Sequence, residues 1–218
     1  MSWRDAFRTA LPPALIALAV TLLRLAGELR GWSEAWFSRA ASGLVPGGAV
    51  SWLVGITWLA LPFGAWFAWR LARDGAAPAR TARAVLVAAL ALVVLYGGTR
   101  ALPLLGLGFP AFLLLIWTVG VLAAALAWQA WPALGRVLLA YGLLSRAVVA
   151  LVMFLALRGR WGTHYDYAGI ARVQELPFWS AYLMLAFVPQ LVFWVAYTIV
   201  LGMVAGAAVA ALTRRPAP

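Results

Sequence analysis

Six long apolar stretches alternate with short polar segments along the chain, and this pattern predicts the architecture. A helix needs about 20 apolar residues to cross the hydrocarbon core of a bilayer. We therefore predict an all-α integral membrane protein, a single domain over residues 1–218, built as a bundle of six transmembrane helices. The predicted spans are residues 10–29, 50–69, 84–98, 111–131, 137–157 and 178–212.

Breaks in the apolar pattern predict local features. Pro62 predicts a kink in the second span. The sixth span is longer than one crossing requires, which predicts either a tilt or a bend at Pro189. Residues 34–41 are predicted to form a short amphipathic helix that lies on the membrane surface after the first span. Gly202 and Gly206 form a small-residue stripe that permits close contact between helices.

The composition agrees with a membrane location. Hydrophobic residues make up 66% of the chain and charged residues only 11%, too few to cover a soluble domain. The formal net charge of +11 comes from 17 arginines and no lysine. Because the arginines lie mainly at the ends of apolar stretches, we expect lipids and protein partners and no nucleic acid. The preference for alanine, and for arginine over lysine, suggests a GC-rich bacterial source. We predict a multi-pass protein of the plasma (inner) membrane.

The distribution of arginine and tryptophan predicts the orientation. With the N-terminus in the cytoplasm, nine arginines lie on the inner side and six on the outer side. The short loop at 70–83 contributes four of the nine, and short loops follow the positive-inside rule most strongly. An even number of spans then places both termini in the cytoplasm. Ten of the 13 tryptophans fall at span ends, where indole rings favour the membrane interface.

Missing residue types exclude several functional classes. The chain has no cysteine, which excludes disulfides, thiolate metal sites and iron–sulfur clusters. It has no lysine for a Schiff base, and its single histidine, His164, cannot hold a haem between two histidines. Sequence signatures of nucleotide-binding loops, serine hydrolases and zinc proteases are absent. These absences favour a protein that is not an enzyme, and we predict no cofactor and no metal.

Arg24 and Glu28 form the sharpest polar signal within the spans. They lie four residues apart on the first span and therefore share a helix face with Thr21. A charge within a span is costly unless it is paired or faces a polar cavity. Two interpretations stay open. The pair fixes the packing of one helix, or it forms a polar site in which Arg24 attracts an anion and Glu28 orients it or exchanges a proton.

Arg146 is the second signal, because it lies near the middle of the fifth span with no acidic residue nearby on its own helix. Its candidate partners are Glu28, Gln190, a backbone carbonyl or a bound anion. The simplest prediction is an ion pair with Glu28, which would create an Arg24–Glu28–Arg146 cluster with one surplus positive charge. Such a surplus in low dielectric attracts an anion or a lipid phosphate.

His164 and Asp166 lie in the polar segment after the fifth span. Alternate residues of an extended segment point the same way, so the two side chains could form a metal site with Glu28 or Glu175. Two other interpretations stay open: an interfacial loop held by its aromatic residues, or a loop that closes over Arg24 and Glu28. In the last case His164 would be the side chain that titrates near neutral pH.

Three functions are compatible with these residues. The first is a non-enzymatic subunit of a larger membrane assembly, which binds partner helices or lipid through the polar residues Arg24, Glu28, Arg146 and Gln190. The second is a small transporter or channel that uses the same residues for an anionic or zwitterionic solute. The third is a membrane enzyme that acts on a lipid at the outer face, with His164 and Asp166 as acid–base or metal-binding groups.

Overall fold

The fold is that of a helical, multi-pass membrane protein. A computed structural model of the chain describes residues 1–39, 50–167 and 175–213, and these residues form helices and turns without a strand. The all-α prediction is therefore confirmed. Five helices are long and apolar enough to cross a membrane. These five, together with the shorter helix α2, are numbered in chain order. They are α1 (Trp3–Leu29), α2 (Ala60–Arg73), α3 (Thr81–Ala101), α4 (Phe109–Ala130), α5 (Pro132–Gly159) and α6 (Phe178–Leu212).

The second predicted span, 50–69, is not one continuous helix. A 3₁₀ turn covers Ser51–Val54, and α2 then begins at Ala60 and runs for 14 residues. Pro62 lies in the first turn of α2, where its missing N–H removes no helical hydrogen bond, so it starts this helix and does not kink it. At about 21 Å, α2 is shorter than a hydrocarbon core of about 30 Å. The count of six spans is therefore not confirmed.

The predicted surface helix over 34–41 is wrong for the described residues, and residues 40 and 41 lie outside them. After Ser33 the chain makes a single turn, in which the N–H groups of Trp36 and Phe37 donate to the Ser33 carbonyl at 3.0 and 2.9 Å. The Phe37 ring lies directly against Gly27 of α1 and leaves no room there for a Cβ atom. This segment therefore folds back on the end of α1.

Three of the arginines counted for the orientation lie outside the described residues. Arg172 was predicted on the outer side, and Arg214 and Arg215 on the inner side.

Helix α6 packs at the centre of the bundle, against α2, α3, α4 and α5, and α1 packs against α5. Small residues permit these close contacts. Gly64 of α2 meets the backbone of Gly202, while Gly206 lies against Leu134 and Ala68. A Cβ atom at Gly64 would collide with the Gly202 backbone. The predicted close helix contact along the small-residue stripe is confirmed, and it occurs within the chain.

The first half of α6 has an unusual backbone. It begins as an α-helix at Phe178–Ala181, widens into π-helical turns at Tyr182–Phe187 and Pro189–Phe193, and becomes α-helical again over Trp194–Leu212. The irregularity expected at Pro189 thus takes the form of wide turns. Such π-helical turns are rare and occur frequently at functional sites. Here they contain Gln190, whose side chain faces the interior.

Polar contacts hold the first residues of the chain, the α2–α3 connection and the α4–α5 turn at one end of the bundle, which we call the N-terminal end. The Trp131 indole N–H donates to the Ala76 carbonyl at 2.7 Å, and Arg136 donates to the Met1 carbonyl at 3.2 Å. The end of α1 and the loop after α5 meet at the opposite end. The polar residues predicted from the sequence lie between these two ends or at the opposite end.

Candidate functional site

Glu28, in the last turn of α1, is the centre of a hydrogen-bonded cluster at the opposite end. Its side chain is fully buried, at 0% exposure. The Oε1 atom accepts from Arg24 Nε at 2.9 Å and lies 2.6 Å from His164 Nδ1. The Oε2 atom accepts from the backbone N–H of His164 at 2.9 Å. Both carboxylate oxygens are therefore engaged by the protein, and Arg24 supplies the compensating charge.

Asp166 shapes the turn that presents His164 to this cluster. Its carboxylate accepts from the backbone N–H groups of Gly162 and Thr163 at 2.9 and 2.6 Å, and from the Thr163 hydroxyl at 2.9 Å. These bonds support a 3₁₀ turn over His164–Asp166. The expectation that His164 and Asp166 point the same way from an extended segment is wrong. In the turn, His164 faces Glu28 while Asp166 folds back on its own loop.

Two tyrosines close this loop over the end of α1. The Tyr165 hydroxyl donates to the Thr21 carbonyl at 3.2 Å, and the Tyr167 hydroxyl donates to the Leu185 carbonyl. Burial raises the pKa of Tyr165 above its ordinary value and raises the pKa of Tyr167 to about 12, so both act as neutral donors. Among the interpretations weighed for this segment, the structure shows the loop closed over Arg24 and Glu28.

The imidazole of His164 is held mainly inside the protein, with 19% of its side chain exposed. Burial lowers the pKa of His164 below its ordinary value, and the positive charge of Arg24 acts in the same direction, whereas the hydrogen bond to Glu28 opposes both. A neutral imidazole fits this geometry when Nδ1–H donates to Glu28, a tautomer assigned from the hydrogen bond. His164 is therefore a positioned, neutral partner of Glu28.

Arg39 also belongs to this cluster, although the sequence analysis did not include it among the site residues. Its guanidinium donates to the backbone carbonyl of Glu28 from Nε at 3.1 Å and from Nη2 at 2.7 Å. A cation near the C-terminus of a helix satisfies free carbonyl groups and complements the helix dipole. The position of Arg39, ten residues after the end of α1, is a weak sequence signal for this contact.

Arg146 on α5 lies in different surroundings. The side chain is 4% exposed, which makes it a buried cation. Its Nη2 atom donates to the Thr57 hydroxyl at 3.2 Å, its Nη1 atom lies 3.5 Å from Gln190 Oε1, and its guanidinium carbon lies 5.1 Å from the centre of the Trp194 ring. All three partners are neutral. Arg146 has no carboxylate partner within the described part of the chain.

Two buried polar atoms on α5 lack a hydrogen-bond partner in the described structure, Arg146 Nε and the Tyr141 hydroxyl. Arg146 reaches the Thr57 hydroxyl just before α2, whereas Tyr141 faces α2 itself. Tyr141 packs edge-on against the rings of Phe63 and Phe67 on α2, with centroid distances of 5.4 and 5.9 Å. Buried polar groups in native proteins are almost always hydrogen-bonded. Helix α5 therefore carries two buried donor groups that the described residues leave without an acceptor.

The residues that contact Arg146 come from irregular backbone. Thr57 lies in the bend between the Ser51–Val54 turn and α2, and Gln190 lies in the π-helical part of α6. The sequence analysis did not single out Thr57. Its sequence signal is weak: a hydroxyl between a glycine at position 55 and a proline at position 62 inside an apolar stretch, a pattern compatible with either a kinked or a broken helix.

The structure therefore divides the predicted cluster into two parts. Arg24 and Glu28 join His164, whereas Arg146 joins Gln190. The expected ion pair between Glu28 and Arg146 does not form among the described residues, because Arg24 and His164 already occupy both oxygens of Glu28. The two parts still border one bend. A Cβ atom on Gly55 would lie 3.4 Å from Arg24 Nη1, and Thr57 follows two residues later.

No family model, curated protein or solved structure matches this chain. Within residues 1–39, 50–167 and 175–213, no three His, Cys, Asp or Glu side chains lie close enough to hold a metal ion together. Glu175, which the sequence analysis considered as a partner of His164, is exposed.

Proposed function

We propose that the protein is a non-enzymatic subunit of a larger membrane assembly, in which Arg146 receives an anionic group from a partner helix or a lipid. The observation that carries this proposal is a buried guanidinium whose contacts, Thr57, Gln190 and Trp194, are all neutral. Inserting an arginine at the centre of a span costs about 2.5–3.5 kcal/mol on insertion scales. An anion delivered to Arg146 offsets this cost, which gives assembly a driving force.

The proposal includes six membrane crossings, with both termini in the cytoplasm and the chain in the plasma (inner) membrane of a bacterium. The Ser51–Val54 turn and α2 together supply the remaining crossing as a broken helix, an arrangement tolerated where protein covers the exposed backbone. Arg80, Arg83 and Arg136 near the N-terminal end support its cytoplasmic placement. Because the chain has no cysteine, single cysteines at Ala79 and Arg158 would report the side of the membrane directly. Labelling of both from one side would contradict this topology.

The test of the subunit function is purification of the intact chain in a mild detergent, followed by identification of every protein and lipid that stays bound. We expect the wild type to retain a specific partner or lipid and Arg146→Met to lose it. Arg158→Met is the matched control, because Arg158 lies on the same helix but is exposed. A wild-type chain that is monodisperse and free of lipid would contradict the proposal.

A transporter or channel for an anionic or zwitterionic solute is the second candidate, and the backbone around Arg146 favours it. The bend at Thr57 and the π-helical turns at Gln190 meet at this side chain. Membrane transporters commonly bind their cargo at interruptions of this kind. In liposomes, this function predicts solute uptake that Arg146→Met abolishes and Arg158→Met retains. Equal uptake by both variants would exclude Arg146 as the binding residue.

A lipid-acting enzyme, the third function compatible with the sequence, receives less support from the geometry. Asp166 hydrogen-bonds with its own loop, and His164 Nδ1 is engaged by Glu28. An enzyme predicts that His164→Gln removes turnover without loss of stability. A structural role predicts that the same substitution changes stability, and the two readouts distinguish the functions.

A further inference from the structure

A cavity of about 490 Å³ opens at the N-terminal end of the bundle, between the α2–α3 connection and the α4–α5 turn. Its lining includes Arg80, Arg83, Gln129 and Trp131. Trp131 is 2% exposed, and its indole donates to the Ala76 carbonyl at 2.7 Å. This bond joins the α2–α3 connection to the α4–α5 turn, so the two walls of the cavity are held together by the protein itself.

The two arginines at this cavity carry uncompensated charge. Arg80 and Arg83 are both exposed, and the ion pairs among the described residues involve only Glu28 at the opposite end. Asp74, the acidic residue of the same connection, does not line the cavity. The cavity therefore presents two guanidinium groups and the Gln129 amide without a carboxylate. Guanidinium groups bind phosphate oxygens through paired, charge-assisted hydrogen bonds.

An apolar surface leads from the cavity along α3 and α4. On α3, Leu86 and Leu90 follow Arg83 at helical spacing and are 70% and 52% exposed. On α4, Leu122 lies two turns before Gln129 and is 60% exposed. These two helices pack against each other. Cationic and amide groups thus stand at the head of an apolar stripe that runs towards the middle of the bilayer.

We propose that this cavity binds the headgroup of an anionic phospholipid. The phosphate lies between Arg80 and Arg83, Gln129 donates to a headgroup oxygen, and the acyl chains follow Leu86, Leu90 and Leu122. Basic pockets between transmembrane helices bind anionic headgroups in this way. A soluble phosphate would use the arginines but not the apolar stripe. This site is remote from Arg146 and does not depend on the function proposed for that residue.

The test compares three probes on the full-length chain in a mild detergent: phosphatidylglycerol, phosphatidylcholine and inorganic phosphate. Native mass spectrometry measures retained lipid, and titration measures affinity. We expect phosphatidylglycerol to bind, phosphatidylcholine to bind at least tenfold more weakly, and inorganic phosphate not to compete at millimolar concentration. The double variant R80Q/R83Q should weaken phosphatidylglycerol binding by about tenfold or more, since it removes both positive charges at the cavity.

The double variant R70Q/R73Q is the matched control, because it removes two arginines from the same end of the bundle. Arg70 and Arg73 stack on the rings of Trp66 and Trp69 and do not line the cavity. The control should bind phosphatidylglycerol as the wild type does. An equal loss in both double variants would show only a diffuse basic surface and would overturn the site. Effective competition by inorganic phosphate would replace the lipid with a soluble anion and would also overturn it.

A second measurement locates the lipid without relying on the variants. A phosphatidylglycerol with a photoreactive group on its headgroup should label peptides that contain residues 76–83 and 129–133. Labelling confined to the opposite end, around the Glu28 cluster, would contradict the proposal. Since the readout is covalent and made on the wild-type chain, it remains valid even if R80Q/R83Q fails to fold.

Discussion

Glu28 and Arg146 are both buried charges, yet their surroundings differ in one decisive respect. Glu28 at 0% exposure receives donors at both oxygens and has Arg24 as its countercharge. Arg146 at 4% exposure contacts two neutral side chains and an indole ring, and its Nε atom has no partner in the described structure. The charge of Glu28 is therefore compensated within the protein, whereas the charge of Arg146 has no countercharge among the described residues.

The difference follows from where the partners come from. Arg24 lies one helical turn from Glu28, so a single regular helix provides the countercharge, and the loop around His164 completes the shell. Arg146 has no acid on its own helix and meets other elements only at irregular backbone. We propose that the buried charge with a local countercharge serves packing here, and that the buried charge without one binds a ligand. Each of the following variants tests this distinction.

The largest expected effect is that of Glu28→Ala. Removing one member of a buried, hydrogen-bonded pair leaves the other charged without compensation, which costs about 3–5 kcal/mol of unfolding free energy. The variant leaves Arg24 without its acceptor and releases the loop at His164. The thermal unfolding midpoint in detergent measures the loss. Glu34→Ala, at an exposed position just beyond α1, should leave the midpoint unchanged. Equal midpoints for the two variants would contradict the packing role of Glu28.

Arg146→Met should have the opposite sign. In lipid-free detergent the substitution replaces an uncompensated buried charge with an apolar side chain of similar length, so we expect a gain of about 1–2 kcal/mol in stability. The same variant should lose any anionic ligand that the wild type retains. The unfolding midpoint and the bound-ligand inventory are measured on the same preparation. A clear loss of stability without ligand would mean that Arg146, like Glu28, is satisfied by the fold.

Much of the fold could be predicted from the sequence, because hydrophobic length and periodicity reflect the membrane directly. The positions of α3 and α5 follow from that pattern. The break before α2 does not, since Pro62 is compatible with either a kink or a helix start, and the choice depends on packing against α6. Among the side chains that contact Arg146, Gln190 was a candidate from the sequence, whereas Thr57 and Trp194 were not. A tertiary contact between Thr57 and Arg146 depends on how the helices pack together, and the sequence contains no local trace of it.

Thr57→Val tests the contact that the sequence did not reveal. The substitution keeps the volume of Thr57 and removes the hydroxyl that accepts from Arg146 Nη2 at 3.2 Å. We expect a loss of about 1 kcal/mol in unfolding free energy, which is typical of one hydrogen bond. Thr57→Ser keeps the hydroxyl and should restore the bond. If Thr57→Val has no effect in the Arg146→Met background but weakens the wild type, the two side chains are coupled as the structure shows.

The smallest expected effect is a change in the pH dependence of stability, and it tests whether Arg24 already neutralises Glu28. Burial lowers the pKa of His164 in the folded chain, helped by Arg24 and opposed by Glu28 and Asp166. Below the unfolded value of about 6.5, the unfolded chain then binds more protons at this site than the folded chain does. The contribution of His164 to stability is therefore fully present above about pH 6.5 and is lost as the pH falls through the folded pKa.

His164→Gln isolates this contribution, because glutamine retains a side-chain donor for Glu28 but does not titrate. Unfolding midpoints of the wild type and His164→Gln, measured between pH 5 and pH 8, should converge or cross as the pH falls, with the wild type losing more stability. Titrating groups that are not in contact with residue 164 cancel in the difference. If the wild type instead gains stability on acidification relative to the variant, the imidazolium is favoured beside Glu28. Arg24 alone would then not neutralise the Glu28 carboxylate. Glu28 would, like Arg146, be a buried charge without full compensation, and the difference between the two regions would disappear.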